Sequence, residues 1–390
     1  MEALRTLITG HLPPAGEVVR TEIHPQASAP SFAGYGSLRV DSGTAALALA
    51  LLSARQLRPE LSAPEVIVPG YCCPDLVAAA VYAGVNVVVA DIGENDAGYN
   101  LEALEACLNE RTLAVIAVNF LGIQEQLEEL RRRLKPGTFL IEDNAQWFPD
   151  ASETDELQGD FVIFSFGRGK PVSLLGGGLL LFKTDHSAAL PTPDAPSTET
   201  RIIGNLKRNL YNWLLRPQLY QWLNRNPLIK LGQTIYQPLT HVQQMAPRKA
   251  QLLPTNIDAY RAKPRISEHA YDEFISNHNQ LRTLQSPRRR RLLRYPLLLK
   301  AQEARDELLA RLSRAGLGAT PMYQRPLWHI PGVEELVQTP YPCPNANRFA
   351  DCLLTLPVHS GVTETHRQRI RIVIDTAASQ GFLDAGASRH

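Results

Sequence analysis

Three short segments carry residues whose types and spacing could do chemistry. Lys170 lies in FVIFSFGRGKPVSLLGGG, a glycine-flanked loop directly after an apolar run. An amine placed there can condense with an aldehyde and afterwards carry protons, and Gly167, Gly169 and the run Gly176–Gly178 let backbone approach a ligand closely. Asp143 closes the apolar run of FLIEDNAQ. Its carboxylate should therefore stand at the mouth of a buried strand, where it could hold a proton on a pyridine-type nitrogen. The segment Asp41-Ser42-Gly43-Thr44-Ala45-Ala46 reads as a helix start, whose free N–H groups and hydroxyls bind phosphate, and Ser165 could reach the same anion. Arg168 either adds charge or is solvated. Taken singly, each has a plainer reading: Asp143 and Ser42 or Thr44 as helix caps, Lys170 as a solvated loop lysine.

The elements that must position these residues alternate from Ser42 to about Phe182. Strands are expected at Val66–Val68, Asn86–Ala90, Ala114–Val118, Phe139–Glu142, Phe161–Phe166 and Leu179–Phe182. Helical spacing of apolar residues marks Ala45–Leu57, Asp75–Ala83, Leu101–Asn109 and Gln124–Leu134. Strand after helix after strand implies an α/β domain with a mainly parallel sheet, whose ligands sit beyond the carboxyl ends of the strands. Asp185–Ser197, rich in Pro, Ser, Ala and Thr, reads as an exposed loop, and Asn205–Ile235 as helical, with Leu206, Leu210, Trp213 and Tyr220 among Lys207, Arg208, Arg216 and Arg225. Further on, a long helix pattern follows Gln251, then Arg294–Leu299 (strand), Ala304–Ala315 (helix) and Arg367–Ser379 (helix), the order of a smaller α+β domain. The expected division is 1–250, with a helical insertion at about 201–240, and 251–390.

Composition narrows the class. Lys plus Arg (40) balances Asp plus Glu (39), which gives no reason to expect nucleic acid. Hydrophobic residues make up 44%, enough to offset the ordering entropy of a chain of 390 residues in two domains. Cys72, Cys73, Cys107, Cys343 and Cys352 form no CxxC pair, so no metal site is expected. Sparse thiols, an N-terminus without the pattern of a secretory signal, and no spanning apolar stretch make a cytoplasmic location the expectation.

In their order and context these segments resemble the DegT/DnrJ/EryC1/StrS family of pyridoxal-phosphate-dependent sugar aminotransferases, of fold type I. The matching stretches are SGTAAL (Ser42–Leu47), EVIVPGY (Glu65–Tyr71), YAGVNVVVADI (Tyr82–Ile92), IAVNFLGI (Ile116–Ile123), IEDNAQ (Ile141–Gln146) and FSFGRGK (Phe164–Lys170). Fainter ones run through Arg305–Leu327 and Leu354–Thr363. The resemblance implies the cofactor pyridoxal 5′-phosphate, with Lys170 as its Schiff-base lysine and Asp143 as the partner of its ring nitrogen. Gln146 would lie near the phenolic oxygen, and Gly43, Thr44, Ala45 and Ser165 would hold the phosphate. It implies a homodimer that moves an amino group, usually from glutamate, to a nucleotide-linked keto sugar for surface polysaccharide or related biosynthesis.

The chain departs from the family pattern at several positions. Where the family carries a ring-stacking aromatic, four residues after Pro69, stands Cys73, so Tyr71 is the candidate substitute. Pro171 follows the lysine, Gly177 replaces an acidic residue, and Asn119 stands where the family has a site-facing His. These changes keep two alternatives open: a pyridoxal-phosphate-dependent dehydratase, against which Lys170 argues because dehydrating relatives carry His there, and a non-catalytic regulatory or membrane-associated protein on the same fold. Residues 205–235 read either as a dimer-interface or domain-bridging helix pair or as a basic amphipathic helix resting on a membrane. Arg288–Arg291 with Arg294 read as a phosphate-binding cluster or a solvated turn, and His329 and His359 as structural.

Overall fold

Ser42 sets the frame for everything that follows it. Its hydroxyl accepts a hydrogen bond from the Ala45 N–H at 3.0 Å and starts helix α1 (Gly43–Leu57). The small side chains of GTAALALA let that helix be buried on nearly every side. In chain order the other elements of the first part are β1 (Tyr35–Val40), β2 (Glu65–Pro69), α2 (Asp75–Ala83), β3 (Asn86–Ala90), α3 (Leu101–Cys107), β4 (Thr112–Val118), α4 (Leu127–Arg133), β5 (Phe139–Asp143), β6 (Phe161–Ser165) and β7 (Gly178–Lys183). The computed structural model describes residues 10–27, 30–198, 200–225, 234–284 and 290–384.

These strands join one eight-stranded sheet in the order β1-β7-β6-β5-β4-β2-β3-β9, where β9 (Val337–Gln338) arrives from the later part of the chain. The pairs β3–β2, β2–β4, β4–β5 and β5–β6 are parallel, whereas β7 runs antiparallel to both β6 and β1. Every residue of β2 and β4 is buried, as expected for strands covered on both faces. The expected strands and helices in this part are all present, Asn86–Ala90 and Asp75–Ala83 with the expected bounds and the others with ends shifted by at most three residues. β1 carried no recognisable signal because YGSLRV lies at the sheet edge and is mostly half-buried or exposed.

The later part contributes α5 (Arg201–Leu214), α6 (Pro217–Arg225), α7 (Pro247–Arg261), α8 (Ile266–Ile275), β8 (Arg294–Leu298), α9 (Gln302–Arg314), α10 (Pro344–Cys352), β10 (Leu353–Pro357) and α11 (Glu364–Ser379). β8 and β10 form a separate antiparallel pair. The helix expected over Asn205–Ile235 is two helices, because Pro217 cannot donate to the preceding turn. Residues 226–233 lie outside the described residues, and Thr234–His241 is irregular. Leu353–Pro357, to which the sequence reading assigned no element, is a strand.

One further expectation changes and another holds. The basic run is neither solvated nor a phosphate site where it is described. Arg290 stacks 3.8 Å from the Trp147 ring centre and pairs with Glu156 at 3.2 Å. Arg291 donates to the Lys263 carbonyl at 2.5 Å, and Arg294 to the Thr355 hydroxyl at 2.7 Å. Arg288 and Arg289 lie outside the described residues. His359 is buried, its Nε2 donating to the Pro13 carbonyl and its Nδ1 accepting from the Gly361 N–H, which supports the structural reading. Burial lowers its pKa to about 4, so it is neutral near pH 7.

Candidate active site

Strands β4, β5 and β6 lie side by side in parallel, with Val118 opposite Asp143 and Asp143 opposite Ile163. Their carboxyl ends therefore open on one edge of the sheet. Asp143 and Ser165 there meet the first turn of α1 (Gly43, Thr44), Cys73 from the loop before α2, Gln146 and Lys170 around a partly enclosed cleft. Seven of the nine residues expected at the site thus share one cavity. A groove between α8 and β8 (Asp272, Arg282, Tyr295) gathers none of them and borders the undescribed residues 285–289.

The two that do not line the cleft have other duties. The Ala45 N–H is taken by the Ser42 cap. Tyr71 is 1% exposed and packs in the core against Phe120 and Phe349, so it does not stand in for the missing stacking aromatic. Its hydroxyl donates to the Pro321 carbonyl at 3.1 Å and accepts from the Tyr323 N–H at 3.2 Å. Tyr71 is a bracket for Tyr323, which does line the cleft and which sequence reasoning missed. Tyr323 sits between Met322 and Gln324, both at positive φ (56° and 65°), a conformation non-glycine residues rarely adopt without surrounding support.

Gly43 explains how α1 reaches the strands. A Cβ there would lie 2.6 Å from the Ser165 Cβ, so only glycine lets the helix start meet the end of β6. The same logic accounts for the later glycine run, though not as expected. Gly176–Gly178 do not line the cleft; Gly177 donates to the Asp41 carbonyl at 2.6 Å, and a Cβ on Gly178 would meet the Ser42 oxygen at 2.2 Å. They hold β7 against the start of α1. At that start the Thr44 N–H has no partner among the described residues and, with the Ser165 hydroxyl, forms an anion-receptive corner. Arg168 is exposed and does not line the cleft.

Behind the cleft lies a network of buried polar groups. Glu142, fully buried, accepts from Asn119 (3.2 Å), Asn144 (2.9 Å) and the N–H groups of Gln158 (3.0 Å) and Gly159 (3.2 Å). Asn119, at the position where a site-facing His was expected from the resemblance, belongs to this network and also accepts from the Glu125 N–H at 2.8 Å. Gln146 accepts from the Leu121 N–H at 2.7 Å and donates to the Tyr323 hydroxyl at 2.7 Å. One side chain thereby ties Leu121, in the turn after β4, to Tyr323, far along the chain. Satisfied networks of this kind fix loops that carry function.

Asp143 and Lys170 differ in how they are held. Asp143 is 4% exposed and accepts from the Ala145 N–H at 2.8 Å. Burial raises its carboxyl pKa to about 6, against the lowering by the Ala145 N–H and the Lys170 charge. Lys170 feels that carboxylate electrostatically, and its amine has no hydrogen-bond partner among the described residues. Cys73 is neutral, its thiol pushed up to about 12 by burial. A desolvated carboxylate and an uncommitted amine in one cleft are a pattern of functional sites.

A β-sheet of this order, with a cleft at the strand ends holding a lysine and a buried aspartate, is the architecture of fold type I enzymes. The chain belongs to the DegT/DnrJ/EryC1/StrS aminotransferase family, whose model matches residues 34–190 and 253–374. This is a class of pyridoxal-phosphate-dependent enzymes. A GDP-perosamine synthase of Vibrio cholerae is 30% identical over 149 residues, 37% of this chain and 40% of the relative. The chain therefore matches well under half of that relative's length. The fold is shared with a DegT/DnrJ/EryC1/StrS aminotransferase of Brucella abortus (TM-score 0.63, 19% identity, 87% and 85% of the two chains). It is shared also with the Escherichia coli GDP-4-keto-6-deoxy-D-mannose-3-dehydratase with bound hydrated PLP (TM-score 0.65, 16% identity, 88% of each chain).

The residues present fit pyridoxal phosphate. The unpaired Thr44 N–H and the Ser165 hydroxyl offer donors where a phosphate would sit. Asp143, buried without a full counter-charge, would gain one from a protonated ring nitrogen. The Lys170 amine needs to break no hydrogen bond to react.

Proposed function

We propose that this protein transfers an amino group, from glutamate, to a nucleotide-linked keto sugar, at the cleft where Lys170 and Asp143 meet. The observation that carries the reading is the convergence of an uncommitted amine, a desolvated carboxylate and an open helix start on one cavity. Pyridoxal phosphate, when bound, supplies an aldehyde and an electron-accepting ring. Asp143 holds a proton at the ring nitrogen, and the Lys170 amine anchors the cofactor and then moves a proton at the substrate carbon. Thr44 and Ser165 bind the phosphate, and Gln146, fixed by Leu121 and Tyr323, orients the ring edge. Cys73 and Tyr323 shape the wall without charge. The working unit in this reading is a homodimer, with residues 1–250 binding the cofactor and 251–390 closing over it.

Amino transfer is favoured over dehydration because position 170 is a lysine, a group that can both bind an aldehyde and return a proton. The test is to incubate the purified protein with pyridoxal phosphate and glutamate, and to reduce a parallel sample with borohydride. We expect 2-oxoglutarate to form and peptide mass spectrometry to locate the pyridoxyl mass on Lys170. Lys170→Ala should lose both, with turnover down by a factor on the order of a thousand or more. Undiminished turnover in that variant, or label at another lysine, would overturn the assignment.

A further inference from the structure

Helices α5 and α6 are turned the opposite way from an ordinary surface helix. Ile202 (81%), Leu206 (67%), Leu210 (50%), Trp213 (47%) and Trp222 (68%) face solvent, whereas Gly204, Arg208 and Gln221 are buried. At helical spacing, residues 202, 206, 210 and 213 form one continuous stripe. The orientation is fixed from beneath. Asn212 accepts from the Val19 N–H and donates to the Val19 carbonyl, both at 2.8 Å. Rolling the helix to hide its apolar side would break these bonds.

Charge decides what covers the stripe. Between residues 200 and 257 the sequence has eight Lys and Arg and no Asp or Glu, whereas the rest of the chain has 32 Lys and Arg against 39 Asp and Glu. Lys207 borders the stripe and Arg216 stands at the junction of the two helices, both exposed. A two-fold contact whose axis passes through the stripe would lay stripe on stripe and bring these cations against their own equivalents, with no carboxylate of the segment to answer them. An anionic lipid surface supplies the missing negative charge, takes up the apolar side chains and suits the two tryptophans, which favour the headgroup boundary. No helix among the described residues is long and apolar enough to cross a membrane, so such a contact lies in the interface plane.

We propose that the outer face of α5 and α6 is a docking surface for anionic membrane lipid. Co-sedimentation of the full chain with phosphatidylethanolamine–phosphatidylglycerol vesicles tests it, with phosphatidylcholine vesicles as the neutral control. The expected result is binding to the anionic vesicles that weakens with added salt, and a loss of roughly tenfold or more in the double variant Leu206→Glu, Leu210→Glu. Lys207→Gln should weaken binding to the anionic vesicles only. All three positions are exposed, so an unchanged melting temperature will show that the variants fold. Absence of vesicle binding by the unaltered protein, or equal binding by the double variant, would overturn the proposal. So would sedimentation showing that the double variant dissociates a dimer while vesicle binding is nil, since the face would then belong to a second copy.

Discussion

The cleft and the α5–α6 pair solve opposite problems with the same kinds of residue. At the cleft, Asp143, Glu142, Asn119 and Gln146 are drawn inside, and each hydrogen bond they make fixes a loop next to the reacting groups. On the helix pair, Arg208 and Gln221 are drawn inside while Ile202 and Trp222 are left out. The difference shows that polarity alone does not decide which face of an element is buried. At the strand ends the sheet fixes direction, and polar groups go in because function needs them desolvated. On α5 a few specific bonds to Val19 outweigh the solvation of an apolar stripe, which is sustainable where something else can cover it.

The sharpest way to test the first half of this contrast is Asp143→Asn. Amino transfer should fall by a factor on the order of a hundred, because a neutral amide cannot hold a proton at the ring nitrogen. Stability of the cofactor-free protein should move the other way. The folded pKa of Asp143 lies above its ordinary value, so the folded state binds that proton more tightly than the unfolded state. Stability from this group is therefore present at low pH and lost as pH rises from about 4 to about 6. Asparagine cannot ionise, and at pH 7 the cofactor-free variant should gain up to about 3 kcal/mol, read from denaturant midpoints. A variant less stable than the parent at pH 7 would mean that Asp143 is not the desolvated group described here.

Much of the cleft was legible in the sequence because one physical rule did the positioning. In a parallel α/β sheet the residue after an apolar run stands at the carboxyl edge, so Asp143, Ser165 and Lys170 could be placed together from spacing alone. Tyr323 was not legible. It comes from far along the chain, on a turn whose left-handed residues are Met322 and Gln324 rather than glycines, and nothing local marks it. Tyr71, near the motif, drew the stacking role but lies in the core, whereas Tyr323 lines the cleft. The direction of α5 was also invisible: periodicity reveals that a helix has two faces, whereas Val19, distant in sequence, decides which one is buried.

Gly43→Ala probes the closeness of α1 and β6. The added methyl would sit 2.6 Å from the Ser165 Cβ and 2.8 Å from its hydroxyl. The helix start must shift outward, costing about 1–3 kcal/mol of stability. It would also draw the Thr44 N–H away from the Ser165 hydroxyl, and cofactor affinity should drop by roughly tenfold. Calorimetry of the cofactor-free protein and fluorescence titration with pyridoxal phosphate separate the two effects. Wild-type affinity with reduced stability would leave the packing argument standing and remove the helix start from the anion site.

The smallest expected effect addresses the other half of the contrast. Ile202 is 81% exposed at the beginning of α5, where an isoleucine inside a core would lose several kcal/mol on truncation. With its outer face open to water, Ile202→Ser should stay within about 0.5 kcal/mol of the parent in urea unfolding, and its midpoint should vary with protein concentration as the parent's does. A cost above about 2 kcal/mol would mean that the side chain is buried against something in free solution. A concentration dependence altered by the substitution would identify that cover as a second copy, and the opposition between inward polar groups at the cleft and an outward apolar stripe on α5 would then dissolve into two buried interfaces.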